Sequence, residues 1–458
     1  MALAWLLALP GMALAQGALQ NGALHPGQIS PAGDADTWTF SSPAKAGIYL
    51  RVGSTNFTPR VRLLAPNGTE LASTTSGNGL ARDGFITAEA TDAGEYQVEV
   101  SATFAGQTGT YGLHLAMIPG EFTTSAGDEG GDLPNGVATT ARLTLGDLDV
   151  WTFNAGPGND LMLRVGASGF TPWLRLYNPS GALLAETKSG NTLARDGVIV
   201  TNALAPGSYT LVVSATFGGQ TGDYTVHRVR VPGVLAVAPD DEGGTLTNGV
   251  RQLATLPLGD LDAWTFDAIE GDEIMLRVGS VDFTPWLRLL APAGMEVART
   301  TSGNGLARDG VLTHRAAIGG TFTLIVSATF SGQEGSYGVH LARTPAPFTT
   351  TAGDEGGELT SGARTAGVIE LGDLDLWSFA ANTGEGLMLR VGGTNFTPWL
   401  RLYGPDGSLI SETTSGNTLA RDGVLSLQAT NAGLHLLVLS ATFSGQQGPY
   451  AVTLARAG

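Results

Sequence analysis

Cysteine is absent from this chain of 458 residues. That removes disulfide cross-links, thiolate metal sites and a cysteine nucleophile, so an exported form must draw its stability from packing or bound ions. Basic side chains are scarce, 24 Lys and Arg against 41 Asp and Glu. The resulting charge of −17 repels nucleic acid and anionic membranes and suits calcium as a partner. Beyond the first fifteen residues no run of eighteen apolar residues occurs, so no membrane insertion is expected of the mature chain. Also missing are a Gly-x-Ser-x-Gly elbow, a His-Glu-x-x-His pair and a phosphate-cradling Gly-rich loop. No histidine recurs often enough to act as a general base in every part of the chain.

What is present is repetition. Phe-Thr-Pro begins at Phe57, Phe170, Phe283 and Phe396, an interval of 113 residues, and Tyr111, Tyr224, Tyr337 and Tyr450 keep the same spacing. Ser-Gly-Asn (Ser76, Ser189, Ser302, Ser415) and Leu-Ala-Arg-Asp-Gly (Leu80, Leu193, Leu306, Leu419) follow it without slippage. A unit of that length is a domain and not a solenoid turn, and it can bury roughly two thirds of its unfolded surface. The divisions expected are 16–119, 120–232, 233–345 and 346–458. Residues 1–15 are nearly all apolar and end in Ala13-Leu14-Ala15, which reads as a signal peptide although no Lys or Arg precedes it. A secreted or cell-surface location is the expectation.

Within each unit the apolar period is two. In the second, Leu161, Leu163 and Val165 alternate with Met162 and Arg164, and turn signals stand at Pro157-Gly158, Pro179-Ser180-Gly181 and Pro206-Gly207. The 66 glycines recur inside the apolar runs, where each would cost a helix about 1 kcal/mol. The fold class predicted is all-β: four tandem antiparallel, jelly-roll-like β-sandwiches of seven or eight strands each.

The sequence Asp147-x-Asp149-x-Trp151-x-Phe153, followed by Gly158, Pro179-x-Gly181 and Gly207-x-Tyr209-x-Leu211, resembles the bacterial pre-peptidase C-terminal domain, related to the collagen-binding modules of clostridial collagenases. Asp34 to Phe40, Asp260 to Phe266 and Asp373 to Phe379 carry the same motif. The resemblance implies a sandwich found in secreted enzymes, with an acidic N-terminal linker folding back to ligate calcium. It places Asp128, Glu129, Asp132 and Asp149 in that role. Unlike the usual arrangement of that family, no attached catalytic domain is expected among these repeats.

Acidic linkers precede the last three units at Asp128-Glu129, Asp241-Glu242 and Asp354-Glu355. With the pairs Asp147 and Asp149, Asp260 and Asp262, and Asp373 and Asp375 they supply the hard oxygens calcium needs, or they are solvated spacers. The first unit has Asp34 and Asp36 but no such linker, so the pair is expected to have a structural task as well. Trp173, Trp286 and Trp399, with Arg175 and Tyr177, Arg288, and Arg401 and Tyr403 nearby, form either a ligand-stacking face or an interdomain contact. The first unit has Arg60 in place of the Trp. Arg82-Asp83 and its equivalents read as turn residues, and His114, His227 and His340 as polar strand-face residues. Asp-x-Asp neighbours lie on one side of any substrate, whereas glycosidase carboxylates flank the bond, so an enzyme is not expected. The function read from the sequence is a secreted, non-catalytic array binding an extracellular polysaccharide, protein or cell-wall component. The alternatives are an accessory region of a secreted hydrolase system and a structural spacer.

Overall fold

Every repeat places Asp, Trp and Phe at alternate positions of one strand, and this alternation organises the sandwich. A computed structural model describes residues 15–74, 82–239, 241–300, 308–413 and 417–457. The expected signal peptide, apart from Ala15, lies outside them, as do Ser76, Leu80, Asp240, Ser302, Leu306 and Ser415.

The first repeat runs β1 (Ala15–Ala18), β2 (Leu24–Ile29), β3 (Ala35–Ser42), β4 (Gly47–Gly53), β5 (Pro59–Leu64), β6 (Glu70–Thr74), β7 (Asp83–Glu89), β8 (Gly94–Ala102) and β9 (Gly109–Ile118). One sheet has the order β1-β3-β8-β5-β6 and the other β2-β9-β4-β7. The other three repeats reproduce both orders, so the chain is four tandem β-sandwiches. The described residues contain no helix, and none long and apolar enough to cross a membrane.

Nine strands form where seven or eight were expected. The additional one is β1, which pairs parallel with β3 at the sheet edge. In the later repeats its counterparts, Gly130–Asp132, Gly243–Thr245 and Gly356–Glu358, come from the acidic linkers. Three residues, two of them glycine, give no period-two signal. Gly130 is required there: its φ is +140°, and a Cβ would stand 2.6 Å from the Val150 carbonyl oxygen.

On β3, residues 36, 38 and 40 all point inward. Trp38 and Phe40 enter a core with Ile48, Leu50, Phe57, Val98 and Leu113, while Asp36 sits at the buried end of the row. Equivalent cores surround Trp264 and Trp377.

By compactness the chain divides into two units, residues 1–134, 139–157 and 163–226, and residues 135–138, 158–162 and 227–458. In the first, Ala116, Ile118, Leu148, Val150, Tyr177 and Val212 form a continuous apolar cluster across two repeats. Gly53 permits this approach, since a Cβ there would meet the Leu145 carbonyl oxygen at 2.2 Å. In the second, Met275, Ala342, Leu374, Leu376, Tyr403, Leu436 and Val438 form the corresponding cluster.

Candidate metal centre

The inward row that seats Trp151 also buries a carboxylate. Asp149 is fully buried; its Oδ2 accepts a hydrogen bond from the Tyr224 hydroxyl at 2.5 Å. That hydroxyl in turn accepts from Trp151 Nε1 at 3.0 Å. The Trp–Tyr–Asp chain recurs as Trp38, Tyr111 and Asp36, as Trp264, Tyr337 and Asp262, and as Trp377, Tyr450 and Asp375. The pair was expected to accept backbone donors at the turn into the strand; the first Asp does so, Asp147 Oδ2 accepting from the Thr144 amide, whereas the second takes a tyrosine hydroxyl instead.

The second oxygen separates the repeats. In the first, Gln16 Nε2 donates to Asp36 Oδ1 at 2.8 Å. In the other three, Oδ1 of Asp149, Asp262 and Asp375 is buried without a hydrogen-bond partner. A buried carboxylate oxygen with no donor is costly. These are also the three repeats preceded by an acidic linker.

The linkers reach those oxygens. Pairing of Gly130–Asp132 with Val150–Thr152 holds the preceding acids beside the Asp-x-Asp turn. Asp128, Glu129 and Asp149 bring one ligand atom each to within 4.8 Å of one another, as do Asp241, Glu242 and Asp262. In the fourth repeat, the charges of Asp373, Asp354 and Glu355 act on Asp375. Burial, then the neighbouring carboxylate Asp147, Asp260 or Asp373, pushes Asp149, Asp262 and Asp375 well above the usual carboxylate range. Asp241 is pushed up to about 6, first by burial and then by the charge of Asp260. Such crowding of acids needs protons or a cation. The donors are hard oxygens, which fits calcium. Asp132 is exposed and is not among the acids so gathered.

Histidines complete a second set of clusters. His114, His227 and His340, expected as polar strand-face residues, do lie on strands, but each is 1% exposed. His114 lies on β9, and its Nδ1 donates to the Gly146 carbonyl at 3.0 Å. Its Nε2 stands 3.1 Å from Asp147 Oδ1 and 3.4 Å from Asp128 Oδ2. His227 Nδ1 approaches Asp260 Oδ1 at 2.6 Å, and His340 Nδ1 approaches Asp373 Oδ1 at 2.9 Å. Strand alternation alone does not reveal this, because the partner acids come from the following linker and turn. The recurrence of His before each acidic linker was the available signal.

The aromatic and basic candidates fall elsewhere. Arg175 and Tyr177 are buried and Trp173 half-buried. The Trp173 ring meets Phe85 at 5.2 Å, and the Arg175 guanidinium lies 4.2 Å from the Trp173 ring and 4.8 Å from Tyr49. Arg401 lies between Trp399 and Tyr403, at 5.6 and 5.4 Å from their rings. Trp286 is half-buried; Arg288 is buried and pairs with Asp160 and Glu296. The adjacent Arg–Asp residues do not pair with each other: Asp83 binds Arg51 and Asp309 binds Arg277 from the neighbouring strand.

No family model matches the chain, and no curated protein sequence matches it. Among solved structures it is similar to the M60 catalytic domain with the CBM51-1 and CBM51-2 domains of ZmpB from Clostridium perfringens, at 10% identity and a TM-score of 0.16. The match covers 91% of this chain and 55% of that one, so the chain spans about half the length of that structure.

Proposed function

We infer that the chain is a non-catalytic accessory array of an exported hydrolase system, attaching to an extracellular polymer through repeated modules whose linkers are ordered by calcium. The observation that carries this reading is the set of unpartnered buried carboxylate oxygens on Asp149, Asp262 and Asp375, beside acidic linkers. Asp128, Glu129 and Asp149, with their counterparts Asp241, Glu242 and Asp262 and then Asp354, Glu355 and Asp375, would hold the ion. Calcium would supply charge neutralisation there and pin each linker to its sandwich. The resemblance of the Asp-x-Asp-x-Trp-x-Phe motif to pre-peptidase C-terminal domains supports the accessory role and export. Four modules on one chain gain effective concentration on a polymer that a single weak module lacks.

The test is co-sedimentation of the full chain with insoluble peptidoglycan, chitin, cellulose and collagen, in calcium and in chelator. Retention on one polymer, lost with chelator, is expected. Absence from all four pellets in calcium would leave a spacer as the better reading.

A further inference from the structure

The geometry points to a second cation site at each linker, a histidine–carboxylate centre for a divalent ion of zinc's class. Its ligands are His114, Asp128 and Asp147, then His227, Asp241 and Asp260, then His340, Asp354 and Asp373. In each set one ring nitrogen and two carboxylate oxygens lie within 4.8 Å of one another. This goes beyond the calcium reading, because an imidazole nitrogen is a poor ligand for calcium and a good one for zinc.

The first cluster shows the logic atom by atom. In the neutral ring, donation from His114 Nδ1 to the Gly146 carbonyl leaves the lone pair on Nε2, the arrangement that orients metal-binding histidines. That lone pair faces Asp147 Oδ1 and Asp128 Oδ2 at 3.1 and 3.4 Å. For bonds of about 2.0–2.2 Å, tetrahedral ligands stand about 3.3–3.6 Å apart, close to those separations. Asp147 is oriented from behind by the Thr144 amide and hydroxyl, which donate to its Oδ2 at 2.8 and 3.0 Å.

An independent observation points to a ligand. His114 Nε2 and Asp147 Oδ1, both in residues that are 1% exposed, stand at ion-pair distance from one another with Asp128 alongside, and neither has a hydrogen-bond partner outside the cluster. In the other two clusters the nitrogen facing the acid is Nδ1, 2.6 Å from Asp260 Oδ1 in His227 and 2.9 Å from Asp373 Oδ1 in His340, and the buried oxygens without a hydrogen-bond partner are Asp260 Oδ2 and Asp354 Oδ2. A ring nitrogen and two carboxylates gathered this closely are stable only around a proton or a metal ion, and the same three residue types are gathered three times. Asp128 has two carboxylate oxygens and can serve this site and the calcium cluster together.

The experiment uses the full chain stripped with chelator and titrated with zinc chloride, and separately with cobalt chloride as a spectroscopic probe. Three ions per chain are expected, one for each cluster, with cobalt giving visible ligand-field bands and zinc absorption-edge spectra showing a nitrogen scatterer. Joint replacement His114→Ala, His227→Ala and His340→Ala should weaken zinc binding by at least 100-fold, beyond the 10–100-fold loss that removing an outer-shell partner causes. The calcium-dependent melting shift should persist in that variant. Joint replacement Asp149→Asn, Asp262→Asn and Asp375→Asn should do the reverse, which separates failure of this site from failure of the calcium reading. If the triple histidine variant does not fold, the nitrogen scatterer in wild-type protein decides. Zinc binding unchanged by the histidine substitutions, no zinc bound, or an imidazolium NMR signature persisting in excess zinc would overturn the proposal, the last by showing that a proton occupies the centre.

Discussion

Gln16 donates its side-chain amide to Asp36 Oδ1 at 2.8 Å, the donor that Asp149, Asp262 and Asp375 lack at the same atom. One chain therefore contains two solutions to the same buried carboxylate: a neutral amide where no acidic linker precedes the repeat, and a cluster of further acids where one does. Adding acids to an unpartnered carboxylate worsens its electrostatics unless a cation is shared among them.

Calcium should therefore invert the effect of one substitution. Asp149→Asn removes a buried charge without changing shape, so in chelator the variant is expected to melt at or above the wild-type temperature. In millimolar calcium it should melt lower, having lost a ligand and the mass-action stabilisation that binding gives the folded state. Gln16→Ala should cost about 1–3 kcal/mol by leaving Asp36 Oδ1 unsatisfied, equally in calcium and in chelator. Calorimetry of the three proteins in both buffers checks this; a calcium-independent deficit for Asp149→Asn would remove the ion from that cluster.

The Trp–Tyr–Asp chain makes a second expectation. Tyr224→Phe deletes the donor to Asp149 Oδ2 and the acceptor of Trp151 Nε1 while keeping the ring that meets Phe170 edge-on. Each stranded group costs about 1–3 kcal/mol. Tyr450→Phe strands Asp375 and Trp377 in the same way and should cost a similar amount. Denaturant melts of both variants, and a double-mutant cycle of Tyr224→Phe with Asp149→Asn, should show coupling of about 0.5–3 kcal/mol. Additive effects would mean that the hydroxyl and carboxylate do not depend on each other.

Much of this architecture was legible in the sequence. The register of Phe57, Phe170, Phe283 and Phe396 announced four copies of one packing scheme, and the period-two apolar runs gave the antiparallel strands; the burial of Asp149 on the same inward row as Trp151 was not read from them. The edge strand Gly130–Asp132 was not legible, because a three-residue strand is made by the neighbour it pairs with and not by its own pattern. His114 escaped for a related reason: its partners Asp128 and Asp147 are set by how the following linker and turn fold back over β9. Arg82 and Asp83 read as turn residues, but Asp83 begins β7, where the cross-strand register with β4 brings Arg51 within reach of its carboxylate.

That cross-strand pair yields a controlled comparison. Arg51 and Asp83 are 4% and 3% exposed, and Arg51 Nη1 also donates to the Ala215 carbonyl at 2.9 Å. The equivalent pair in the fourth repeat, Arg390 and Asp422, is 60% and 54% exposed. Arg51→Met strands a buried carboxylate and a buried carbonyl and should cost about 3–5 kcal/mol. Arg390→Met should leave stability nearly unchanged, since solvent already screens that pair. Urea titrations of the two variants measure the difference; equal costs would show that the Ala215 contact and the burial of Arg51 contribute nothing.

His25 gives the first repeat a pH dependence of definite sign. It is buried edge-on against Trp38, with ring centroids 5.6 Å apart, and its Nε2 accepts the Gln20 amide proton at 2.8 Å. Burial first, and the nearby His114 to a smaller extent, push its pKa below 6.5 against the opposing backbone contacts of Leu113 and Ala23. The folded form thus holds a neutral ring, while the unfolded chain protonates near 6.5. Above that pH both states are neutral and His25 contributes no slope. As pH falls through 6.5 the unfolded state binds the proton first, so stability declines until the folded-state pKa is reached. His25→Gln removes this titration. The expected result is that the stability of wild type relative to His25→Gln is constant from pH 8 to 7 and falls between pH 6.5 and 5, read as the difference in urea midpoint. A difference that stays constant down to pH 5 would mean that burial and the Gln20 contact do not hold the folded-state pKa below that of the unfolded chain.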